Sequence, residues 1–389
     1  MKKSALLAAT AALAAARSGY SMVPPPPPVP PPPPLPAPRL SGVQAAVLLD
    51  LDSHQVLLDQ GGDRELRPSG LVKLMTVYLL FQAESQGLLK KEQKIPVSAE
   101  AWHAAGSRMF IQPGLPVTAG QLAKGLLIDG GNDAAVAVAQ AVAGSVGAFV
   151  DLMNRKAAEL GLSGTHFSNP DGLPGPGQQS TALEIARLAQ ILVLKYPQVL
   201  GIAGGTSYTY NGITQYNYNP LAGRAGINGL GVGRASAHRW NLALSSSRKG
   251  RTLIAVILGA RSRAAAGRDG SILLHYGFHA WRDRQVYPAG AAVAEPERTD
   301  WNPEKLQVLT SRAVTVSVPY PGTGEVQEQF RIKRDLRAPV RKGQTVGNLC
   351  LRWKGQLLRT VPVIAGNRVA PAGWFTRFWQ ELRQRKSLL

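Results

Sequence analysis

Lys73 is the reactive side chain set in the most informative surroundings. It falls in LVKLMTVYLLFQAESQG, where Leu71, Leu74, Met75, Tyr78, Leu79 and Phe81 recur at helical spacing. Its amine is therefore either a solvated edge group or a buried functional one. Ser69 precedes it by four residues, positions that share a helical face. A hydroxyl and an amine on one face offer a nucleophile and its base. Other candidates are weaker. Ala143-Gly144-Ser145-Val146-Gly147 approximates a nucleophile elbow but lacks its first glycine and lies in a helical stretch, so it reads as a helix end. His275 and His279 have the spacing of helical metal ligands without a nearby carboxylate, which makes them packing or surface residues. Cys350, between Leu349 and Leu351 in a strand pattern, reads as a small buried hydrophobe.

The elements that must position these groups follow from periodicity. AAVLLDLDSHQVLLDQ from Ala45 predicts a hairpin turning at Asp52-Ser53-His54. Pro68-Ser69 opens the lysine helix. From Val117 a second helical region is interrupted at Asp129-Gly130-Gly131-Asn132-Asp133, where two glycines cost about 1 kcal/mol each in a helix and a turn between helices is expected. Helices are predicted over Ala148–Leu162 and Ser180–Tyr196, the latter capped by Ser180 or Thr181, with turn chemistry at Asn169-Pro170-Asp171-Gly172. INGLGVGR, RWNLALSSS and RTLIAVILGA then read as consecutive strands. A strand, a helical block and a strand meander make an α+β layer structure around an antiparallel sheet. Beyond about Arg282, AVTVSVPY, FRIKR, NLCLRW and TVPVIAG predict a small all-β unit.

The 389 residues carry 44 Lys and Arg against 24 Asp and Glu, a formal net charge of +20. Such a balance suits nucleic acid, an anionic membrane or an acidic polymer such as a cell wall. No basic helix, stacking-aromatic motif or paired Cys/His set accompanies it, which argues against nucleic acid. The single cysteine excludes an intrachain disulfide, and the six histidines form no zinc pattern; no cofactor or metal is expected. Residues 1–20 read as a signal peptide: Lys2 and Lys3 precede the apolar run ALLAATAALAAA, shorter than the roughly 20 residues of a membrane span, although an ordinary terminal helix has the same look. Twelve of the 29 prolines lie between Pro24 and Pro38, a polyproline II stretch of roughly 45 Å that makes residues 21–40 a proline-rich tether. At residues 372–389, Trp374, Phe375, Phe378, Trp379 and Leu382 share an arc of about 140° with Arg377, Arg383, Arg385 and Lys386 outside or at its margin. That is the pattern of a helix lying on anionic lipid, the alternative being a helix that covers the β domain.

Taken in order, Arg67-Pro68 with LVKLMT, SRMFIQPG, GNDAAVAVA, THFSNPDGLP, QSTALEIA, YTYNGITQ, LIAVILGA and APVRKGQTVG resemble the serine-type D-alanyl-D-alanine carboxypeptidases, the low-molecular-mass penicillin-binding proteins, from Val43 to the C-terminus. The resemblance implies a β-lactamase/transpeptidase-like domain over residues 41–282 and a β-rich domain over 283–371. It further implies a periplasmic address, a peptidoglycan stem peptide as ligand and the anionic inner-membrane surface as the support for the tail.

The family's three motifs are each in register and each altered. Its Ser-x-x-Lys corresponds to Gly70-Leu71-Val72-Lys73, so glycine stands at the nucleophile and Lys73 alone remains as the residual base. Its Ser-x-Asn corresponds to Gly130-Gly131-Asn132, which loses the relay hydroxyl and keeps the amide. Its Lys-Thr-Gly corresponds to Gly231-Val232-Gly233, followed by Arg234, which partly replaces the missing cation. The resemblance thus implies a non-catalytic member in which Asn132, Gly231, Val232, Gly233 and Arg234 line a peptide-binding cleft that the glycines loosen. Two alternatives stand beside it: an active enzyme using Ser69 with Lys73, and a purely structural envelope protein. Moving a hydroxyl back one residue turns it by about 100° and shifts it by about 1.5 Å, against a tolerance near 0.5 Å in a catalytic constellation.

Overall fold

The two apolar runs around Asp52–His54 pair as antiparallel strands β1 (Ala45–Asp50) and β2 (Val56–Gln60), Val47 opposite Asp59 and Leu48 opposite Leu58. They belong to a computed structural model that describes residues 36–40, 42–321 and 324–373. A short hairpin follows later, β3 (Ser207–Tyr210) with β4 (Ile213–Tyr216), and then the predicted meander β5 (Ile227–Ser236), β6 (Arg239–Arg248) and β7 (Arg251–Ala260). Strand β7 closes onto β1, giving a five-stranded antiparallel sheet in the order β2-β1-β7-β6-β5. Strand side chains alternate between faces, and here both faces are covered. Ala45, Val47, Leu49, Ile254 and Val256 pack into one core, and Ala46, Leu48, Leu253, Ala255 and Ile257 into another. This explains why β1 and β7 read as continuous apolar runs.

The first core is roofed by helices α1 (Lys73–Ser85), α2 (Asn132–Ala143), α3 (Val146–Glu159) and α4 (Ala182–Lys195). Capping sets their ends: Gly144 in the left-handed conformation stops α2, Ser145 caps α3, and the Thr181 side chain accepts from Glu184 N. The second core lies beneath α5 (Arg263–Ala280), a helix that the apolar periodicity of the sequence does not announce. Its glycines explain both facts. A Cβ at Gly270 would stand 2.6 Å from Leu244 and one at Gly277 2.5 Å from Leu253, so the helix rests directly on the sheet where side chains would otherwise mark an apolar face. His275 and His279 stack on this helix, 3.9 Å between ring centroids.

The β domain begins with β8 (Trp281–Tyr287), followed by β9 (Ala292–Ala294), β10 (Val308–Thr310), β11 (Val314–Pro319), β12 (Val326–Ile332), β13 (Thr345–Trp353) and β14 (Gln356–Ala365). Strands β8 and β11 pair, and the others form a sheet in the order β9-β10-β14-β13-β12 over a core of Trp301, Leu306, Val308, Leu349 and Val363. Cys350 is buried on β13. Buried polar contacts join the two parts. The Gln55 amide exchanges hydrogen bonds with the Ser317 backbone at 2.6 and 3.1 Å, and Arg251 pairs with Asp50 at 2.7 Å and Asp283 at 3.0 Å.

The leader, the proline tether up to residue 35 and the aromatic tail from residue 374 lie outside the described residues. Among those described, no single helix is long and apolar enough to cross a membrane.

Candidate functional site

A single turn of 3-10 helix, Ser69–Val72, leads into α1 and carries Gly70 and Lys73 to the edge of β5. What fixes this turn is Asn241, a buried amide within the apolar pattern of β6. Its Nδ2 donates to Arg67 O (2.8 Å), Pro68 O (3.1 Å) and Ser69 Oγ (3.1 Å), and its Oδ1 accepts from Gly259 N (2.9 Å). One side chain thereby ties the turn to the sheet with its donors shared among three acceptors. Ser69 is held at φ +48°, a left-handed conformation that costs a residue with a Cβ free energy.

The turn and the strand meet backbone to backbone. A Cβ built on Gly70 would lie 2.4 Å from Val232 O and 3.1 Å from Gly233 Cα, and one on Gly233 would lie 2.2 Å from Ser69 Oγ and 2.4 Å from Gly70 N. Gly172, at φ +86°, closes a third side, where a Cβ would meet Ser69 O at 2.0 Å. The sequence suggests that these glycines loosen the cleft. Instead Gly70 and Gly233 are in mutual close contact, because the absence of side chains lets strand, turn and loop approach more nearly than any other residues allow.

Beside this contact opens a cavity of about 440 Å³ lined in part by Gly70, Lys73, Gly130, Asn132, Gly231, Val232, Gly233 and Arg234. Every residue singled out in the three altered motifs thus reaches one cleft. Ser69 does not line it, and no hydrogen bond joins Ser69 Oγ to Lys73 Nζ. Instead Lys73 Nζ donates to Asp171 O at 2.5 Å, while Thr76 Oγ1 donates to Pro170 O at 2.6 Å, so α1 straps down the loop that bears Gly172. Burial lowers the Lys73 pKa to about 8, against the opposing pull of the Asp171 and Asp133 carboxylates.

On the facing wall, a π-helical turn over Gly125–Asp129 ends at Gly130, whose φ of +66° turns the chain into α2. A Cβ there would touch nothing within 4 Å. Asn132 Nδ2 donates to Ala105 O at 2.6 Å, and Asp133 accepts from the backbone N–H of Met109, Phe110 and Ile111, which fixes the loop containing Ser107 against the cleft. Asp129 is buried, and neither carboxylate oxygen has a hydrogen-bond partner among the described residues; burial first and Asp133 next push it up to about 7. At the mouth, the exposed Arg234 guanidinium stands 6.0 Å from the Trp240 ring centroid. The wall therefore offers an amine, the carboxamides of Asn132, Asn217 and Asn219, the Asp171 carboxylate and a guanidinium. Its side-chain hydroxyls are those of Ser107 and Tyr218, and neither is hydrogen-bonded to Lys73.

Sequence reasoning missed Asn241, Asp171 with Gly172, and the Asn217–Asn219 segment that lines the cleft. Asn241 carried a signal, a lone amide in an apolar strand. The others are loop residues whose approach depends on the fold.

Comparison with known proteins adds the following. A family model described as D-alanyl-D-alanine carboxypeptidase matches residues 37–262, and one described as penicillin-binding protein 5, C-terminal domain, matches residues 281–371. The chain is 32% identical over 347 residues to the D-alanyl-D-alanine carboxypeptidase DacC of Escherichia coli (strain K12), covering 86% of each protein. It is 29% identical over 344 residues to the D-alanyl-D-alanine carboxypeptidase DacF of Bacillus subtilis (strain 168), covering 86% of this chain and 87% of that protein. Its structure resembles penicillin-binding protein 5 from Haemophilus influenzae, with a TM-score of 0.80 and 26% identity over 87% of this chain and 100% of that one.

Proposed function

Since the chain belongs to the D-alanyl-D-alanine carboxypeptidase family, we propose that it is a non-catalytic member that retains the cleft as a weak binding site for the peptidoglycan stem peptide. The observation that carries this reading is the contact at Gly70. Val232 O lies 2.4 Å from the place a Cβ would take, so the position that bears the family's nucleophile has neither a hydroxyl nor room for one. Ser69 gives no substitute, since its hydroxyl faces Asn241 rather than Lys73. Without a nucleophile, only binding and backbone polarisation remain, which account for about 10³- to 10⁴-fold of such an enzyme's acceleration.

In this reading Asn132 holds a peptide amide of the ligand and Arg234 attracts its terminal carboxylate. Gly231, Val232 and Gly233 supply strand backbone, as in β-augmentation. The protein acts in the periplasm, exported by residues 1–20, spaced by the proline tether and resting on anionic lipid through Trp374, Phe375, Phe378, Trp379 and Leu382.

Fluorescent penicillin and a synthetic stem peptide ending in D-Ala-D-Ala test the proposal on the full chain. The expected result is no covalent label and no released D-alanine, together with saturable heat of peptide binding by calorimetry. A stable adduct on Ser69 would establish the active alternative. Absence of any peptide binding would leave a purely structural role.

A further inference from the structure

An amine freed from serving a hydroxyl is itself a nucleophile. Lys73 lines the 440 Å³ cavity, and Gly70, Gly172 and Gly233, which also line it, add no side chains to fill it. Among the described residues the hydrogen-bond partner of Lys73 Nζ is Asp171 O, at 2.5 Å. We propose that Lys73 is a covalent capture site for small anionic carbonyl compounds, 2-oxo acids above all, which it binds as imines. The Nζ lone pair bonds to the carbonyl carbon, and the carbonyl oxygen departs as water with the two amine protons, so no oxidant or reductant is required. This reactivity goes beyond peptide recognition and stands independently of it.

Three features of the cleft support the assignment. Lys73, itself largely buried, lines a cavity large enough for a small ligand. Arg234 lines the same cavity and favours a ligand carrying a carboxylate. The charge state is also suitable. The carboxylates facing Lys73 are Asp171 from the loop and Asp133 from α2, and both favour the ammonium, but burial outweighs them and sets its pKa at about 8. At pH 7.4 about a fifth of such amines are neutral, compared with roughly one in a thousand for an ordinary lysine.

The test treats the full-length protein with glyoxylate and cyanoborohydride, followed by peptide mapping by mass spectrometry. Lys73 should be alkylated ahead of the exposed Lys90, Lys91 and Lys94 at pH 7.4, with a rate that rises through a midpoint near 8. Arg234→Ala should slow labelling by glyoxylate several-fold and leave labelling by acetaldehyde unchanged. Lys73→Arg should abolish the modification at this position while its circular dichroism stays that of the parent protein. Labelling in proportion to exposure, or a midpoint near 10.5, would overturn the assignment. Because the readout is an imine on Lys73, it can fail while penicillin and peptide behave as proposed above, or succeed while they do not.

Discussion

Restoring the family's nucleophile by Gly70→Ser should not restore chemistry, and the reason can be worked through in distances. The new Cβ would start 2.4 Å from Val232 O and 3.1 Å from Gly233 Cα. Both obstacles are main chain, and β5 is held in register by β6, with Val232 opposite Leu242 and Gly233 opposite Asn241. Relief therefore requires moving a paired strand or unwinding the turn that Asn241 anchors. Overpacking of this kind costs about 1–3 kcal/mol, which for a domain of this size lowers the melting temperature by roughly 3–9 °C. Differential scanning fluorimetry measures the loss, and fluorescent penicillin followed by mass spectrometry measures acylation. We expect a lower melting temperature and no label. A variant that melts within about 1 °C of the parent, or one acylated at residue 70, would refute the reasoning, because either result means that strand and turn separate at little cost.

Lys73→Met removes a buried cation and should raise stability near neutral pH by on the order of 2 kcal/mol. The folded-state pKa is depressed from 10.5 to about 8, so the unfolded chain binds more protons between those values. Parent stability accordingly climbs across that window and the advantage of the variant fades, which denaturant titrations at several pH values will show. Ser69→Ala deprives Asn241 of one of three acceptors and should cost no more than about 1 kcal/mol, with unchanged peptide binding by calorimetry. Asp283, beside Arg251 and Ser317, is raised to about 7, by burial first and by Asp50 next. Its folded form keeps its proton to higher pH, so its contribution is present at acid pH and is lost as pH rises through about 7. Asp283→Asn should flatten the decline in melting temperature between about pH 4 and 7; an undiminished slope would assign that decline to other groups.

The main elements of the first domain were legible because their patterns are strong. The lysine helix, the turn at Gly130-Gly131 and the three-strand meander each combine a periodic apolar run with a break in chain chemistry. Helix α5 was not, because Gly267, Gly270 and Gly277 take three of its buried positions and leave Ala265, Ala266, Leu273 and Leu274 as the buried apolar side chains of its 18 residues. The altered motifs were legible only as strings. From the sequence, glycine at positions 70 and 233 predicts looseness, since glycine has no Cβ. In the structure the same missing Cβ permits contact between turn and strand.

The sequence by itself determined which side chains this cleft lacks and which it keeps: no hydroxyl at positions 70 or 130, an amine at Lys73, an amide at Asn132 and a cation at Arg234. Only the tertiary structure decided how those groups meet. It brought Val232 O against Gly70, turned the Ser69 hydroxyl toward Asn241 and buried Lys73 over Asp171. Residue types define the available chemistry locally, whereas approach distances and desolvation arise from segments roughly 100 to 170 residues apart in the chain, whose meeting no local pattern encodes.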